Sequence, residues 1–586
     1  MQTARPQPRR VSRRWFLRSA GGAVAVAATT AAGCIGSSSK PKTAAIATAT
    51  TAGNNATTTS PTRLATTSTA QDSRRGGTLR FTGLIEGDGI YDPHKSQSES
   101  FLAHQSLVYS RLLSFKDQAR GEIVPDLART MPEQPDATTL IFEINGNAHW
   151  QDVPPYNGRP ITAEDVKLSI ERQTGSDPGF AHRARWSRLD KIEVDGSRLT
   201  IRLKEPYAPI FGLLADASAY IVPAEVSNGS VVPTRSLQPG SGPFRWVEWS
   251  ERKLASVARN PGWYGGTDRP LLDGVATVFA SDATEIEARL RTKELDVAVV
   301  GRPAADRLTK AIPGLQEQVA GHAQWFGMLF YLPIAPYNDN RLRTAISIAV
   351  DRREMLQKFF AGSGELNPWI SWPLTRWSLP QAELLNIPGH RARAVERQAD
   401  VAEANRLLAA SLAERPLPGE LELLVPEDIE RSLGMGSLIK AQIKKNLDLN
   451  VSVNALPIGT VVQRLRDGKA PWAVGQDSGW LDLDDWVYPY FHSDGPKNSF
   501  PLRDANMDSM ISAQRQELDE TKRREIGYAI QRKLLNLNAG VNLVSERVVT
   551  LAWPYVKSFP VDIGSGYQNR FADAWLDRND PTFRGR

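Results

Sequence analysis

Apolar positions follow helical and strand periods from residue 76 onward, and residues 35–75 show neither period. One predicted amphipathic helix has apolar residues at positions i, i+3, i+4, i+7 and i+8, namely Leu342, Ala345, Ile346, Ala349 and Val350. Leu140, Phe142 and Ile144 alternate with other residues before a turn signal, which predicts a strand. Because helix and strand patterns intermix over the whole body, we expect an α/β or α+β class.

Two short motifs predict where helices begin. Thr162 is followed three residues later by Asp165, and Asp282 is followed three residues later by Glu285. An N-cap side chain followed by an acid at N3 satisfies backbone N–H groups at a helix start. We therefore expect one helix after Thr162 and another after Asp282.

Residues 35–75 are mostly Ser, Thr, Ala, Asn and Pro, with almost no large apolar side chain. Such a segment buries too little apolar surface to offset the entropy lost on ordering. The composition therefore predicts a disordered tether that precedes the folded body.

The formal net charge of +6 resides in residues 1–33, which hold six Arg, no Lys and no acid. The rest of the chain is neutral by this count, which removes the overall-charge argument for nucleic-acid binding. A basic head is followed by an apolar run of small residues that is too short to span a membrane. This order is typical of an export signal.

Two motifs refine the export prediction. Residues 12–18, which include Arg13 and Arg14, resemble the twin-arginine motif, an address read by a receptor. Residues 31–34 resemble a bacterial lipobox, which implies acylation of Cys34 and cleavage just before it. A stray structural cysteine and an uncleaved signal anchor are the alternatives. Since Cys34 is the only cysteine, internal disulfides and multi-cysteine metal sites are excluded.

Motifs for hydrolases, zinc proteases and P-loop enzymes are absent from the sequence, and its seven His do not pair at metal-ligand spacing. We therefore expect no catalytic residue, no metal and no cofactor. An acidic cluster of Asp482, Asp484 and Asp485 lies between Trp480 and Trp486. Two such carboxyls could serve a glycosidase as acid and base, so a hydrolase using Asp482 and Asp485 is kept as a weaker alternative.

The chain is rich in Trp, with 15 in total. Several stand near turn residues or acids, namely Trp150, Trp369, Trp372, Trp377, Trp480 and Trp486. An indole offers a broad apolar face and one N–H, so such residues can line a ligand cleft. The alternative is that most of them fill the core.

A series of motifs over residues 76–560 resembles, in order, those of extracytoplasmic solute-binding proteins of family 5, the oligopeptide, dipeptide and nickel class. The segments that carry this resemblance are residues 76–79, 92–93, 125–128, 142–166, 240–261, 294–297, 336–345 and 351–352. Each motif alone is weak, and together they are specific. Departures include Met131 in place of a usual Trp, Leu168 in place of a usual aromatic, and an apparent insertion at residues 153–157.

The resemblance implies an α/β, two-lobed periplasmic-binding-protein fold (class II-like, cluster C) with a hinge and an additional inserted domain. Its expected parts are a signal peptide at 1–33; the lipidated cysteine and tether at 34–75; a first lobe at 76–108, 206–325 and 549–586; an inserted domain at 109–205; and a second lobe at 326–548. A ligand would bind between the lobes and bias their closure.

The resemblance also implies a function. The protein would capture di- to oligopeptides and deliver them to the permease and ATPase subunits of an ABC importer, as an exported monomer. Acylated Cys34 would hold it at the bilayer, on the outer face of the cytoplasmic membrane or in the periplasm. Peptide-binding members resemble G-W-x-x-D-x-x-D/E-P, where the first Asp pairs with the α-ammonium of the peptide.

In this chain the first Asp of that motif comes one residue early. The ligand-binding residues expected on this basis are Trp480, Asp482, Asp484 and Asp485, with Asp482 preferred and Asp484 as the alternative. The departures leave open a non-peptide solute on the same fold, such as an oligosaccharide, an opine or a nickel chelate.

Overall fold

The computed structural model describes residues 73–584, apart from residues 86, 181, 234–236, 281, 418, 479–480 and 565. These residues belong to a compact unit, Thr69–Arg586. The export motif with Arg13 and Arg14, the lipobox with Cys34, and the tether up to residue 72 lie outside the described residues. The predictions made for them therefore stay predictions.

The strands are short and are distributed over the whole described chain. In chain order they are β1 (Thr78–Thr82), β2 (Leu113–Asp117), β3 (Glu122–Pro125), β4 (Glu133–Asp136), β5 (Thr139–Glu143), β6 (Leu189–Asp195), β7 (Arg198–Leu203), β8 (Phe244–Ser250), β9 (Leu254–Arg259), β10 (Gly274–Val278), β11 (Val297–Val300), β12 (Gln316–Gly321), β13 (Gln324–Phe330), β14 (Gly364–Leu366), β15 (Leu421–Pro426), β16 (Val451–Leu456), β17 (Trp472–Ser478), β18 (Gly540–Asn542), β19 (Val544–Ala552), β20 (Val556–Lys557) and β21 (Trp575–Leu576).

The helices alternate with these strands. In chain order they are α1 (Glu99–Gln105), α2 (Ala163–Glu171), α3 (Ile210–Ala215), α4 (Ala224–Ser227), α5 (Ala283–Arg291), α6 (Arg302–Ala311), α7 (Asn340–Ala349), α8 (Arg352–Phe360), α9 (Gln381–Leu384), α10 (Ala394–Glu414), α11 (Glu430–Leu447), α12 (Ile458–Arg466), α13 (Leu483–Phe491), α14 (Ala505–Gln516) and α15 (Glu520–Leu537).

Three larger sheets organise the fold. An eight-stranded mixed sheet has the order β12-β19-β11-β1-β10-β9-β8, with β14 paired to β19, and it forms what we name the first lobe. A five-stranded sheet, β16-β15-β17-β13-β18, forms the second lobe. A four-stranded antiparallel sheet, β4-β5-β7-β6, forms the insert. The predicted mixture of helices and strands is thus confirmed.

The chain passes between the two larger sheets more than once. It leaves the first-lobe sheet after β12 and enters the second-lobe sheet with β13, and it returns from β18 to β19. Between these points β14 also pairs with β19 of the first-lobe sheet. Strand β13 spans the predicted boundary at residues 325 and 326, and β19 spans the one at residues 548 and 549. The predicted domain boundaries stay a prediction.

Local sequence signals explain several element starts. Thr162 caps α2 as a capping box: its side chain accepts from the Asp165 backbone N–H, and the Asp165 carboxylate accepts from the Thr162 N–H. Asp282 caps α5 through the N–H groups of Thr284 and Glu285. Both predicted helix starts are therefore confirmed.

The predicted helical stripe coincides with α7, whose apolar face is buried from Leu342 to Ala349. Together with residues from α8, α10 and α11, it packs on the five-stranded sheet in one hydrophobic cluster. Burial of such a face supplies most of the stability of a short helix, since helices of this length are marginal in isolation. The second lobe therefore provides a packed base for the acidic cluster that follows β17.

Candidate functional site

The three predicted acidic residues meet at the start of α13. Asp482 is the N-cap of this helix, and its side chain accepts from the Asp484 backbone N–H at 2.9 Å. Apolar residues on the opposite face, among them Leu483, Trp486 and Val487, are fully buried and fix the helix in the core. Gly479 and Trp480, which precede the helix, lie outside the described residues.

Asp482 forms an ion pair within the second lobe. Arg523 of α15 reaches it with both terminal nitrogens, Nη1 to Oδ2 at 2.9 Å and Nη2 to Oδ1 at 2.5 Å. Burial by itself raises the pKa of Asp482, but the paired guanidinium more than offsets this and holds the pKa below its usual range. Asp482 is therefore ionised and already neutralised by a protein group.

Asp484 has its cationic partner inside the second lobe, and Tyr207, which precedes α3, donates its hydroxyl to the same carboxylate at 3.5 Å. Asp484 accepts from Gln514 Nε2 at 2.6 Å and lies 3.2 Å from Nε of Arg515, both on α14. Burial raises its pKa, and the Arg515 charge only partly opposes that rise. The Arg515 guanidinium also stacks on Tyr488, 3.9 Å from the ring centroid. Asp484 therefore links α13 to α14.

Asp485 differs from the other two because its cationic partner comes from outside the second lobe. Arg185, on a 3₁₀ turn just before β6 of the insert, places Nη2 3.2 Å from Oδ2 of Asp485. The same guanidinium donates to Asp216 at 2.7 Å and to Ser218 at 2.8 Å. Arg185 thus bridges a carboxylate of the second lobe and one that follows α3.

The Asp485 carboxyl has an unusual proton affinity. Its side chain is only 11% exposed. Burial raises its pKa to about 7; Arg185 opposes the rise, whereas the neighbouring carboxylates Asp482, Asp216 and Asp484 reinforce it. Of the three acids, Asp485 is the one that depends on a contact between lobes for its counter-charge.

Aromatic side chains form a cluster beside α13. The rings of Trp325, Trp369 and Tyr490 lie within 5.1 to 6.1 Å of one another, centroid to centroid. Trp325 lies on β13, where the chain enters the second lobe, and its indole N–H is buried without a hydrogen-bond partner. A Cβ on Gly475 would come 2.9 Å from this indole, so the glycine makes room for the ring over the sheet.

The predicted Trp residues are mostly core residues. Trp150, Trp369, Trp377 and Trp486 are each at most 2% exposed, and Trp372 is half-buried with its indole N–H on the Leu379 carbonyl. Most of the Trp residues considered as ligand-cleft candidates are therefore part of the hydrophobic core. Among the described residues, Trp325 and Trp377 both have an indole N–H without a hydrogen-bond partner. Trp377 lies against Arg523, the partner of Asp482, with 4.8 Å between the guanidinium carbon and the ring centroid.

A fourth carboxyl, Asp562, was not predicted. It lies in the segment after β20, where Gln118 binds the backbone of Ile563 and Gly564, and Arg111 donates to the Gly566 carbonyl. One carboxylate oxygen of Asp562 is buried without a hydrogen-bond partner. Burial raises its pKa to about 8, and the nearby Arg111 charge lowers it only in part.

We expect Asp562 to make the stability of the protein depend on pH. Since its pKa is raised in the folded state from an ordinary value near 4, folding favours the protonated form. The resulting stability is complete below about pH 4 and is lost as pH rises through about 8. Asp562→Asn should therefore melt several degrees higher than the wild type at pH 8.5, with a smaller difference at pH 5, by scanning calorimetry.

The exposed Asp494 offers a matched control for this experiment. Asp494→Asn should leave the pH profile of the melting temperature unchanged. Parallel profiles for Asp562→Asn and the wild type between pH 5 and pH 8.5 would contradict the burial argument.

The described part of the chain contains no group of three or more His, Cys, Asp or Glu side chains arranged to hold a metal ion. Within the same residues, no helix has both the length and the hydropathy needed to span a bilayer.

Comparison with known proteins identifies the family of this chain and a relative that is named for peptide binding. The family model of bacterial extracellular solute-binding proteins, family 5, matches residues 122–499. A probable di/tripeptide-binding protein 5 of Pseudomonas aeruginosa is 24% identical over 446 residues, which are 70% of this chain and 79% of that protein.

Two solved structures share the fold. The periplasmic binding protein DppA of Helicobacter pylori, in complex with the peptide STSA, superposes with a TM-score of 0.70 at 19% identity, over 86% of this chain and 99% of that one. The binding protein AgaA of A. tumefaciens R10, in complex with agropinic acid, superposes with a TM-score of 0.68 at 22% identity, over 85% of this chain and 99% of that one. The predicted two-lobed fold is thus confirmed. Because the family model matches more than half of the chain, the protein belongs to family 5 of the bacterial extracellular solute-binding proteins, a family of transport proteins rather than enzymes.

Proposed function

We propose that this protein captures peptides between its two lobes and delivers them to the permease and ATPase subunits of an ABC importer. The observation that carries the proposal is Asp485, a largely buried carboxyl of the second lobe whose cationic partner, Arg185, comes from the other side of the interface. An ammonium group can take the place of that guanidinium. The peptide-binding relatives support the proposal by their names.

The chemistry of exchange favours Asp485 as the ammonium partner. When a peptide α-ammonium displaces Arg185, the guanidinium keeps Asp216 and Ser218 as partners and is not left unpaired. Displacement of Arg523 from Asp482 would instead leave a buried guanidinium without a carboxylate, which is costly. We therefore propose Asp485 for direct contact, whereas the sequence pattern alone favoured Asp482.

The other predicted site residues have distinct proposed roles. Asp482 and Asp484, held by Arg523 and Arg515, fix the start of α13 and so position the Asp485 carboxyl. Trp480 remains a proposed wall of the cleft. Main-chain hydrogen bonding along an extended peptide would supply affinity that tolerates varied side chains.

Calorimetric titration tests the ligand class. The protein without residues 1–33 would be titrated in parallel with a pool of di- to pentapeptides, maltotriose, agropinic acid and a nickel–histidine complex. The proposal predicts saturable heat with the peptide pool. Tight binding of one of the other three ligands, with no heat from any peptide, would overturn it in favour of a non-peptide solute.

We also propose that residues 1–33 direct export through the twin-arginine route and that Cys34 is acylated at the outer face of the membrane. One lipid chain buries many CH₂ groups at about 0.8 kcal/mol each, and stable anchoring takes more than one chain. The neutral mature chain would then bind the membrane through lipid rather than charge.

Loss of the thiol should release the protein from the membrane. Cys34→Ala is expected to shift the protein from the membrane fraction to the soluble fraction after cell fractionation and immunoblotting, because no acyl acceptor remains. Ser37→Ala, a change in the same stretch, should stay with the membrane. Unchanged membrane retention of Cys34→Ala would refute the anchor.

A further inference from the structure

A small cavity lies in the second lobe, and Trp369 of the aromatic cluster is one of its lining residues. It is bordered by α7, the start of α8, the segment before α10 and the end of β18, with Ser347, Arg352, Asn367, His390 and Asn542 among its lining residues. Its volume of about 20 Å³ is enough for one water-sized group.

Arg352 is a buried cation at this cavity. It is 1% exposed, and its terminal nitrogens donate to Ser347 O at 2.8 Å, Ser347 Oγ at 3.0 Å and Gly389 O at 3.2 Å. Its Nε has no hydrogen-bond partner, and among the described residues no carboxylate forms an ion pair with it. Burial lowers its pKa to about 9, which still leaves it charged at neutral pH.

The two acids nearest to Arg352 have other partners, although the Oδ1 oxygen of Asp400 accepts no hydrogen bond. Asp400 pairs with Arg391 at 3.1 Å and accepts from the Gly389 backbone N–H at 2.7 Å. Asp351 caps α8 through two backbone N–H groups, and Arg397 lies 3.9 Å away from it. This group of side chains therefore contains one more guanidinium than carboxylates.

The other unused polar atoms at the cavity belong to His390, which is 3% exposed. Neither ring nitrogen has a hydrogen-bond partner, and the Pro388 carbonyl lies near the ring without reaching hydrogen-bond geometry. Burial holds the pKa of His390 well below its usual range, so the ring is neutral and keeps one N–H. The lining amides of Asn367 and Asn542 donate to Ser545 and to the Trp369 carbonyl.

We propose that this cavity binds one halide-sized anion, chloride in ordinary solutions, between the Arg352 guanidinium and the His390 imidazole. A water molecule would fill the space but leave the buried charge without a counter-ion, and an uncompensated buried charge is costly. The anion would bind only the folded second lobe, so it would stabilise the fold by mass action. Asp482, Asp484 and Asp485 are not among the lining residues of this cavity.

Thermal unfolding in matched salts tests the proposal. At equal sodium concentration, 300 mM chloride should raise the melting temperature of the wild type by about 1–3 °C over gluconate, which is too large for the cavity. Arg353 is the exposed residue next to Arg352 on α8, and Arg353→Gln should show the same difference in melting temperature between the two salts. Arg352→Gln should lose it.

Bromide keeps the test decisive if Arg352→Gln does not fold. Crystals of the wild-type protein soaked in 500 mM bromide should show an anomalous peak between Arg352 and His390. Equal melting temperatures in chloride and gluconate, or a bromide-soaked crystal with no peak in this cavity, would overturn the proposal.

Discussion

Replacing Asp485 with Asn is expected to weaken the binding of a tripeptide with a free amino terminus by about 30-fold or more. This corresponds to about 2 kcal/mol, the lower end of what truncating one partner of a buried charge pair costs. The proposed ammonium would then enter an interface that offers it an amide in place of a carboxylate. Calorimetric titration of both proteins with trialanine at pH 7.5, where more than half of Asp485 is ionised and more than half of the peptide keeps its ammonium, measures the change.

The N-acetylated tripeptide separates this effect from a general loss of fit. It lacks the ammonium, so it should bind the wild type and Asp485→Asn with similarly low affinity. Asp494→Asn, an exposed acid near the end of α13, should bind trialanine like the wild type. If Asp485→Asn binds trialanine within threefold of the wild type, Asp485 is not the ammonium partner.

Replacing Arg523 with Met is expected to destabilise the protein by about 3–5 kcal/mol, the cost of leaving one member of a buried ion pair alone. Asp482 would lose two hydrogen bonds of 2.9 and 2.5 Å, and the side-chain oxygen of Gln514 would lose two more, of 3.1 and 3.0 Å. Urea unfolding followed by Trp fluorescence gives the free energy of unfolding.

The next residue of α15, Arg524, is more exposed than Arg523. Arg524→Met should therefore lower the free energy of unfolding by less than about 0.5 kcal/mol. Combining Arg523→Met with Asp482→Leu should recover part of the loss, because no buried charge then lacks a partner. A loss below 1 kcal/mol in Arg523→Met would show that the Asp482–Arg523 pair does not fix the start of α13.

Local signals in the sequence predicted local structure well. The Thr162 and Asp282 caps and the stripe on α7 each depend on residues within one or two helical turns, and the structure confirms them. Such features depend on backbone hydrogen bonds and on one apolar face, both of which a short stretch of sequence specifies.

The partners of the acidic cluster could not be predicted, because they are distant in the chain. Arg523 is 41 residues from Asp482, and Arg185 is 300 residues from Asp485. The motif spacing therefore identified the cluster but not which acid depends on a contact between lobes. No sequence pattern pointed to Asp562, because its raised pKa results from burial by segments from other parts of the chain. Ligand contact by Trp480, Asp482 and Asp484 stays a prediction.

The central claim is that the ligand is a peptide, and native purification tests it most directly. The protein would be isolated from its own cells without denaturation, and the molecules released from it on unfolding would be identified by mass spectrometry. The account predicts short peptides with free amino termini, present in the wild type and depleted in Asp485→Asn. Recovery of a saccharide, an opine or a nickel chelate in place of peptides would contradict it.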